Sequence, residues 1–423
     1  MNIEQALEYI HSVSWKGSVP GLARISELLA RIGNPERKTK YVHIVGTNGK
    51  GSTAAMISSV LRCAGYKVGL YTSPFIISFN ERMQINGNMI SDDDLSEITE
   101  YIKPFADSMV DRPTEFELIT AIAFEFFARN NCDIVVLEAG MGGEFDATNV
   151  IPSPEVAVFT NIGLDHTDFL GDTVEKIAAT KSGIIKPCCE CVIYRASESV
   201  EKVIEEKCLS LGVKLTKANF SSLRSVSVSL EGQIFDWQEY KSLSLPLLGA
   251  HQLYNAATAL TTLEKLSERG FDISEKNVRD GLSATCWPGR FEVLRKSPLF
   301  IVDGGHNPQC MEALANNIRD YLPETMLTVV TGVLADKDYT AMYDLIAPYI
   351  KEFFLVTPPS PRALPASDLA KKLAHYGKPI QIFSTVEQGV TAAVTMAGKD
   401  GNILAFGSLY MVGDIKKAVE KTI

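Results

Sequence analysis

Residues 46–53 read GTNGKGST, entered from the apolar run Tyr41–Val45 and leaving into AAMISSVLRCAG. A strand that breaks into a Gly-rich turn with one Lys and a hydroxyl pair, then becomes a helix, is built to hold phosphate. Backbone N–H groups and the helix N-terminus converge there on the anion. Lys50 is placed to reach terminal phosphates, and Ser52 or Thr53 to turn a hydroxyl toward Mg²⁺. The spacing departs from the common phosphate-loop pattern, because only Thr47 and Asn48 separate Gly46 from Gly49, and Gly51 is inserted before the Ser.

Working outward, similar strand ends recur. In CDIVVLEAGMGGEFDATNVI the apolar strand Ile134–Leu137 ends at the carboxylate Glu138 beside a Gly-rich turn. In EVAVFTNIGLDHTDFLGDT the strand 156–160 is followed by Asp165 and His166. Parallel strands buried on both faces read as continuous apolar runs, and ligands gather at their C-terminal ends. An acid and a His so placed suit the metal that accompanies a phosphate loop. KVGLYTS reads as a further strand and runs into the long segment SPFIISFNERMQINGNMI. A loop of that length in a compact domain is usually functional, and Phe75 and Arg82 suit a flat, anionic substrate or, equally, anchor the loop. Taken alone, Lys181 in EKIAATKSGIIKP reads as a solvated lysine on a helix.

The chain has 423 residues, of which 46% are apolar, enough for two or three packed domains. A formal net charge of −10 argues against a nucleic-acid partner, which needs a basic face. The Cys residues lie mostly in apolar segments, no signal peptide opens the chain and no apolar run reaches the ~20 residues that span a bilayer. A reduced, cytoplasmic protein without membrane contact is expected. Cys188-Cys189-Glu190-Cys191 reads as a strand with thiols packed inside. Short alternating segments over 222–247 predict a small antiparallel meander, and PGRFEVLRKSP, residues 288–298, is the best boundary. The fold expected is α/β: an N-terminal phosphate-loop domain, 1–290, with a mainly parallel sheet plus the meander, a linker at about 291–297, and a Rossmann-like α/β domain over 298–423. In the latter, DGGHNP puts Asp303 and His306 directly after the first strand.

GTNGKGST, TSPF, FNER, LEAGMGGEFDATNVI, GLDHTDFLGDT, ATKSGIIKP, PGRFE, DGGHNP and GVLADKD together resemble the folylpolyglutamate synthase and dihydrofolate synthase family, relatives of the Mur ligases. The resemblance runs in order from about Tyr41 through the C-terminal domain. It implies an ATP-dependent ligase that joins a folate carboxylate to the amine of L-glutamate through an acyl phosphate, with dihydropteroate as an additional acceptor in bifunctional members. Carried over by residue, Gly46, Thr47, Asn48, Gly49, Lys50, Gly51 and Ser52 hold ATP. Ser73, Glu138 and His166 hold Mg²⁺, with Ser73 preferred to Ser52 because Gly51 shifts the latter. Asn255, Arg290 and Asp303 match nucleotide-contacting positions. Lys181 matches a lysine carboxylated by CO₂, which reverses the surface reading, and it or His306 takes the proton of the attacking amine. A monomer is expected. A cell-wall Mur ligase is disfavoured because only some 40 residues precede the loop. A phosphate-loop switch is disfavoured because no guanine-reading N-K-x-D is present.

Overall fold

The first sheet forms because its strands are short, apolar runs that can be buried on both faces. The computed structural model describes residues 1–13, 19–165 and 167–422. Strands β1 (Lys40–Val45), β2 (Val68–Tyr71), β3 (Met83–Ile85), β4 (Asn88–Met89), β5 (Ile134–Glu138), β6 (Val156–Phe159), β7 (Glu190–Ile193) and β8 (Lys214–Lys217) lie in the order β4-β3-β2-β5-β1-β6-β7-β8. All neighbours from β2 to β8 are parallel, with β1 central between β5 and β6. The cysteine-rich segment is β7, with Cys191 buried, as expected.

One face is covered by helices Ile3–His11, Ala23–Arg31, Asp92–Asp107 and Glu115–Arg129, which pack Ile10, Leu29, Ile98 and Phe124 against Tyr41, Val135 and Leu137. Helix Glu115–Arg129 is apolar on nearly every side because it lies between the sheet and the other helices. Its start is fixed by a capping box between Thr114 and Glu117, and Glu117 also accepts from Arg24 Nε at 3.0 Å.

The long segment after β2 is not wholly loop. Met83–Met89 folds into the β3–β4 hairpin, which adds to the sheet antiparallel to β2. Asn86 and Gly87 occupy its turn at φ 52° and 83°, the left-handed pair of a two-residue hairpin.

The meander is present as β9 (Arg224–Ser229), β10 (Gly232–Trp237) and β11 (Tyr240–Leu245). It is not simply an appendage of the N-terminal domain. One compact unit comprises 1–223, 237–243 and 254–285, and the other 224–236, 244–253 and 286–423, so the meander's residues are divided between them.

The second unit contains a sheet ordered β12-β13-β17-β14-β15-β16, from β12 (Glu292–Lys296), β13 (Leu299–Val302), β14 (Leu327–Thr331), β15 (Ile350–Leu355), β16 (Ile380–Ile382) and β17 (Asn402–Phe406). Residues 292–296, expected to lie in a linker, instead form its antiparallel edge strand against β13. The other neighbours are parallel, with helices after β13, β14, β15 and β16 as the alternation predicts. Among the described residues no helix is long and apolar enough to cross a membrane.

The helix that leaves the phosphate loop, Lys50–Cys63, is buried from Ser52 to Leu61. Helix Glu275–Ser283 lies on it so closely that a Cβ at Gly281 would stand 2.4 Å from Val60 Cα. Ser59 Oγ donates to Gly281 O at 2.7 Å, and Asn277 Nδ2 caps the far end by donating to Cys63 O at 2.7 Å. Backbone cannot move aside cheaply, so Gly281→Val should lower stability by about 1–3 kcal/mol, the usual cost of overpacking. A urea midpoint unchanged from that of the unsubstituted protein would show that the helices can separate.

Candidate active site

The phosphate loop is held in two halves. Thr47 N–H and Asn48 N–H donate to Asn161 O at 2.7 and 3.3 Å, and Thr160 Oγ1 donates to Asn48 O at 2.8 Å. Thr47 Oγ1 donates to Gly163 O at 2.9 Å and accepts from Gly163 N–H at 3.0 Å. Thr47 and Asn48 therefore spend their amides on the segment after β6. The remaining donors of the loop belong to the helix start. Gly49 is the N-cap at φ 86°, with no side-chain cap, and the first intrahelical bond is Thr53 N–H to Gly49 O at 3.0 Å. The amides of Lys50, Gly51 and Ser52 thus face the helix opening, where an anion is stabilised. The glycines are required by close approach: a Cβ at Gly46 would fall 1.9 Å from Thr160 Oγ1, and one at Gly49 2.5 Å from Asn255 Oδ1. Asn255 thereby reaches the loop from helix Ala250–Glu268. Ser52 is buried in the first turn.

Two ammonium groups meet on one carbonyl. Lys50 Nζ donates to Gly46 O at 3.1 Å and to Thr47 O at 3.4 Å, while Lys181 Nζ donates to the same Gly46 O at 3.0 Å. Lys181 is only 4% exposed, so its reading as a solvated surface residue is wrong. Burial, then the charge of Lys50, push its pKa down to about 7 against the opposing pull of Asp146 and Asp165. Its burial comes from small residues: a Cβ at Gly143 would lie 2.7 Å from Lys181 O, and one at Gly183 2.4 Å from Glu144 Cα.

Glu138 ends β5, buried, with Oε1 3.9 Å from Lys50 Nζ. Ser73 leaves β2, the parallel neighbour of β5, in register beside it, since Tyr71 pairs with Leu137. These two expected metal positions therefore leave adjacent strands at their C-terminal ends. His166, the third, lies outside the described residues.

Behind Glu138, a buried chain was not foreseen. Asp146 accepts from Met141 N–H at 2.8 Å, Thr148 N–H at 3.0 Å and Thr148 Oγ1 at 2.5 Å. Burial still raises its pKa, with these donors opposing. Because Thr148 Oγ1 gives its hydrogen to Asp146, it accepts from His43 Nε2–H at 2.8 Å. Burial holds His43 neutral, its pKa near 3. The Asx turn at Asp146 could have been read from D-A-T, but the pairing with His43 follows only from the sheet.

Arg82 and Phe75 are brought together on the loop after β2. The Arg82 guanidinium lies 5.2 Å from the Phe75 ring and 5.6 Å from that of Phe79. Arg82 Nε is buried without a hydrogen-bond partner. Glu81 organises the turn by accepting from Ile76, Ile77 and Ser78 N–H at 2.8, 2.9 and 2.9 Å. Phe75 thus serves the loop, stacking on Arg82 and packing against the core.

In the second unit Arg290, Asp303 and His306 are gathered. Buried Asp303 accepts from Phe291 N–H at 2.8 Å and Gly305 N–H at 2.6 Å. Burial raises its pKa, offset by the charge of Arg290 and those two amides. His306 Nδ1 lies 3.1 Å from Gly304 O, which can only accept, so Nδ1 carries a hydrogen there.

Residues 44–263 match the Mur ligase middle domain and residues 289–409 the Mur ligase, glutamate ligase domain. The chain is 35% identical to the dihydrofolate synthase/folylpolyglutamate synthase of Bacillus subtilis, covering 99% of each. It resembles the crystal structure of folylpolyglutamate synthase from Thermotoga maritima with TM-score 0.87 and 32% identity, covering 100% of this chain and 97% of that one. It resembles Escherichia coli FolC in complex with DHPP and ADP with TM-score 0.88 and 30% identity, covering 100% and 98%.

The Lys181 environment sets a pH dependence. Its pKa is about 7 in the folded protein against an ordinary 10.5. Between these values the unfolded chain binds the extra proton, so Lys181 makes stability rise with pH across that window. In CO₂-free buffer, Lys181→Met should be stabilised relative to the parent protein below about pH 7, the gap closing toward pH 10.5. Thermal midpoints of both proteins with a gap independent of pH would contradict this.

Proposed function

The chain belongs to the folylpolyglutamate synthase and dihydrofolate synthase family of Mur-type ATP-dependent ligases, and from this we propose that it joins L-glutamate to a folate carboxylate through an acyl phosphate. The observation that carries the reading is the convergence of Lys50, Lys181 and the phosphate loop on Gly46 O, with Glu138 beside Lys50. A ligase that activates a carboxylate must bring two anions together, and this site concentrates cations and helix amides where the phosphates lie.

A carboxylate is a poor electrophile. Its oxygen first attacks the γ-phosphorus of ATP, forming a new P–O bond as the bond to ADP breaks. The glutamate amine then attacks the acyl carbon and expels phosphate. Lys50 and the first-turn amides of helix Lys50–Cys63 hold the phosphates and oppose the charge spreading over the transferred group. Asn255 steadies the loop, and Arg290 and Asp303 match nucleotide-contacting positions of the family.

The donor set fits Mg²⁺, because a buried carboxylate and a hydroxyl from adjacent strand ends are hard oxygen ligands beside a phosphate loop. Glu138 and Ser73 would hold it, His166 is the further ligand that the family resemblance implies, and the ion would supply neutralisation of phosphate charge. Lys181 suits carboxylation. An amine with its pKa near 7 is substantially neutral at physiological pH, so its lone pair can attack CO₂ and lose a proton to give a carbamate. That turns a largely neutral amine beside Gly46 O into an anion near Lys50. A base must take the proton of the glutamate amine, and His306 or the carboxylated Lys181 is proposed for that role.

Phosphate release from Mg-ATP should require both L-glutamate and a folate acceptor, with the product one glutamate heavier by mass. Turnover with tetrahydrofolate and with dihydropteroate would make the protein bifunctional, and turnover with tetrahydrofolate alone a polyglutamylase. Hydrolysis indifferent to acceptor and glutamate would refute the ligase reading in favour of a nucleotide switch. Labelled bicarbonate should give a carbamate carbon resonance that is absent in Lys181→Gln.

A further inference from the structure

Lys181 and Lys186 lie on one short segment, and no step above uses the second. Lys186 follows the 3₁₀ turn Ser182–Ile184 and donates from Nζ to Asn149 O at 2.7 Å and to Ile151 O. Those carbonyls end another 3₁₀ turn, Ala147–Val150, where the last acceptors have no partner within the turn and a lysine is favoured. Burial draws the Lys186 pKa down to about 8, with Cys189 opposing.

A second tie joins the same two segments. Asn149, itself buried, donates from Nδ2 to Glu144 O and to Gly183 O, both at 3.1 Å, and Glu144 N–H donates to Thr180 O at 2.8 Å. Residues 144–151 and 180–186 are thus fastened to each other at both ends. Between the fastenings lie Asp146 on one segment and Lys181 on the other.

From this we infer that Lys186 and Asn149 are positioning residues, which hold the Lys181 turn in register with residues 144–151 and so set how readily Lys181 takes up CO₂. The inference rests on the carboxylation of Lys181 proposed above.

Gly143 and Gly183 let the two backbones come near, but close contact alone permits sliding. Hydrogen bonds are directional, so ties at opposite ends fix which residues face each other. Register matters because charge surrounds Lys181: Lys50 from the phosphate-loop helix, Asp146 from the turn after β5 and Asp165 from the segment after β6. Asp146 cannot turn aside by itself, since Met141 and Thr148 hold its oxygens.

Burial is the largest influence on the Lys181 amine, and the two fastened segments help to supply it. Carboxylation needs the neutral amine. Its nitrogen attacks the carbon of CO₂, the N–C bond forms as one C=O pair moves onto oxygen, and the nitrogen's proton leaves to water. Slipped segments would admit water and restore the ammonium form, which has no lone pair to give. The same ties account for the choice between the two lysines. A carbamate on Lys186 would press anionic oxygens against the carbonyls of Asn149 and Ile151, which can only accept.

Titration of the full chain with labelled bicarbonate, in equilibrium with CO₂, reads the carbamate resonance and its half-saturating concentration. Lys186→Met should raise that concentration about three- to fivefold near neutral pH, the change expected if the Lys181 pKa recovers by about one unit. Lys186→Arg should restore it, because a guanidinium can donate to both carbonyls. Asn149→Ala removes the other tie and should shift the value in the same direction, which keeps the test open if Lys186→Met does not fold. In turnover, kcat of Lys186→Met should recover as bicarbonate is raised, while KM for Mg-ATP stays at the parental value. An unchanged half-saturating concentration in both variants, or a lost turnover that bicarbonate does not restore, would overturn the inference and leave the carbamate reading intact. A parent protein without the resonance would overturn both.

Discussion

Two lysine amines on one carbonyl oxygen constrain everything near the phosphate loop. Lys50 and Lys181 both donate to Gly46 O, and a second positive charge so close in a buried place is costly, which together with burial favours the neutral form of Lys181. The fold provides answering anions asymmetrically. Glu138 stands near Lys50, whereas Asp146 and Asp165 act on Lys181 only as lesser influences against its burial. The arrangement leaves the loop poised to accept negative charge, as phosphate would supply. An enzyme that must bring ATP and a carboxylate together profits from a site left electropositive at rest.

Geometry around that oxygen is set by the sheet. The central position of β1 lets β6 fix the first half of the loop through Asn161 and Thr160, while the helix start keeps its own amides for an anion. Gly143 and Gly183 allow the Lys181 segment to approach within contact distance of the turn after β5. Rigid backbone contacts, more than side-chain hydrogen bonds, hold the lysine in place. Its side chain therefore enters a prepared slot, and the depressed pKa follows from that slot.

Much of this was legible in the sequence, for a physical reason. A strand buried on both faces must be apolar throughout, so a polar residue at its end marks where it leaves the core; Glu138 and Asp303 were found this way. The parallel strands, most helices and the alternation after Leu299 share that logic. What escaped depends on partners distant in sequence. Lys181 shows ordinary helical spacing, and only the glycines packed against it reveal its burial. The edge strand Glu292–Lys296 is mixed in polarity because one side is solvated, which makes it read as linker. The β3–β4 hairpin was legible in Asn86-Gly87 but was obscured by the surrounding polar residues. The link from His43 through Thr148 to Asp146 exists only once β1 and β5 are in register.

The clamp on the phosphate-loop helix also has a temporal meaning. Ser59 and Gly281 are 222 positions apart, and Cys63 and Asn277 are 214 apart. On a ribosome, the chain emerges with its nucleotide loop early and the helix that braces it very late. Contacts of such long sequence separation form slowly and only after the intervening chain is made. A nascent polypeptide therefore carries the loop's residues for most of its synthesis without the support that fixes them. The contacts that brace the loop's helix can therefore form only once nearly the whole first unit has been made.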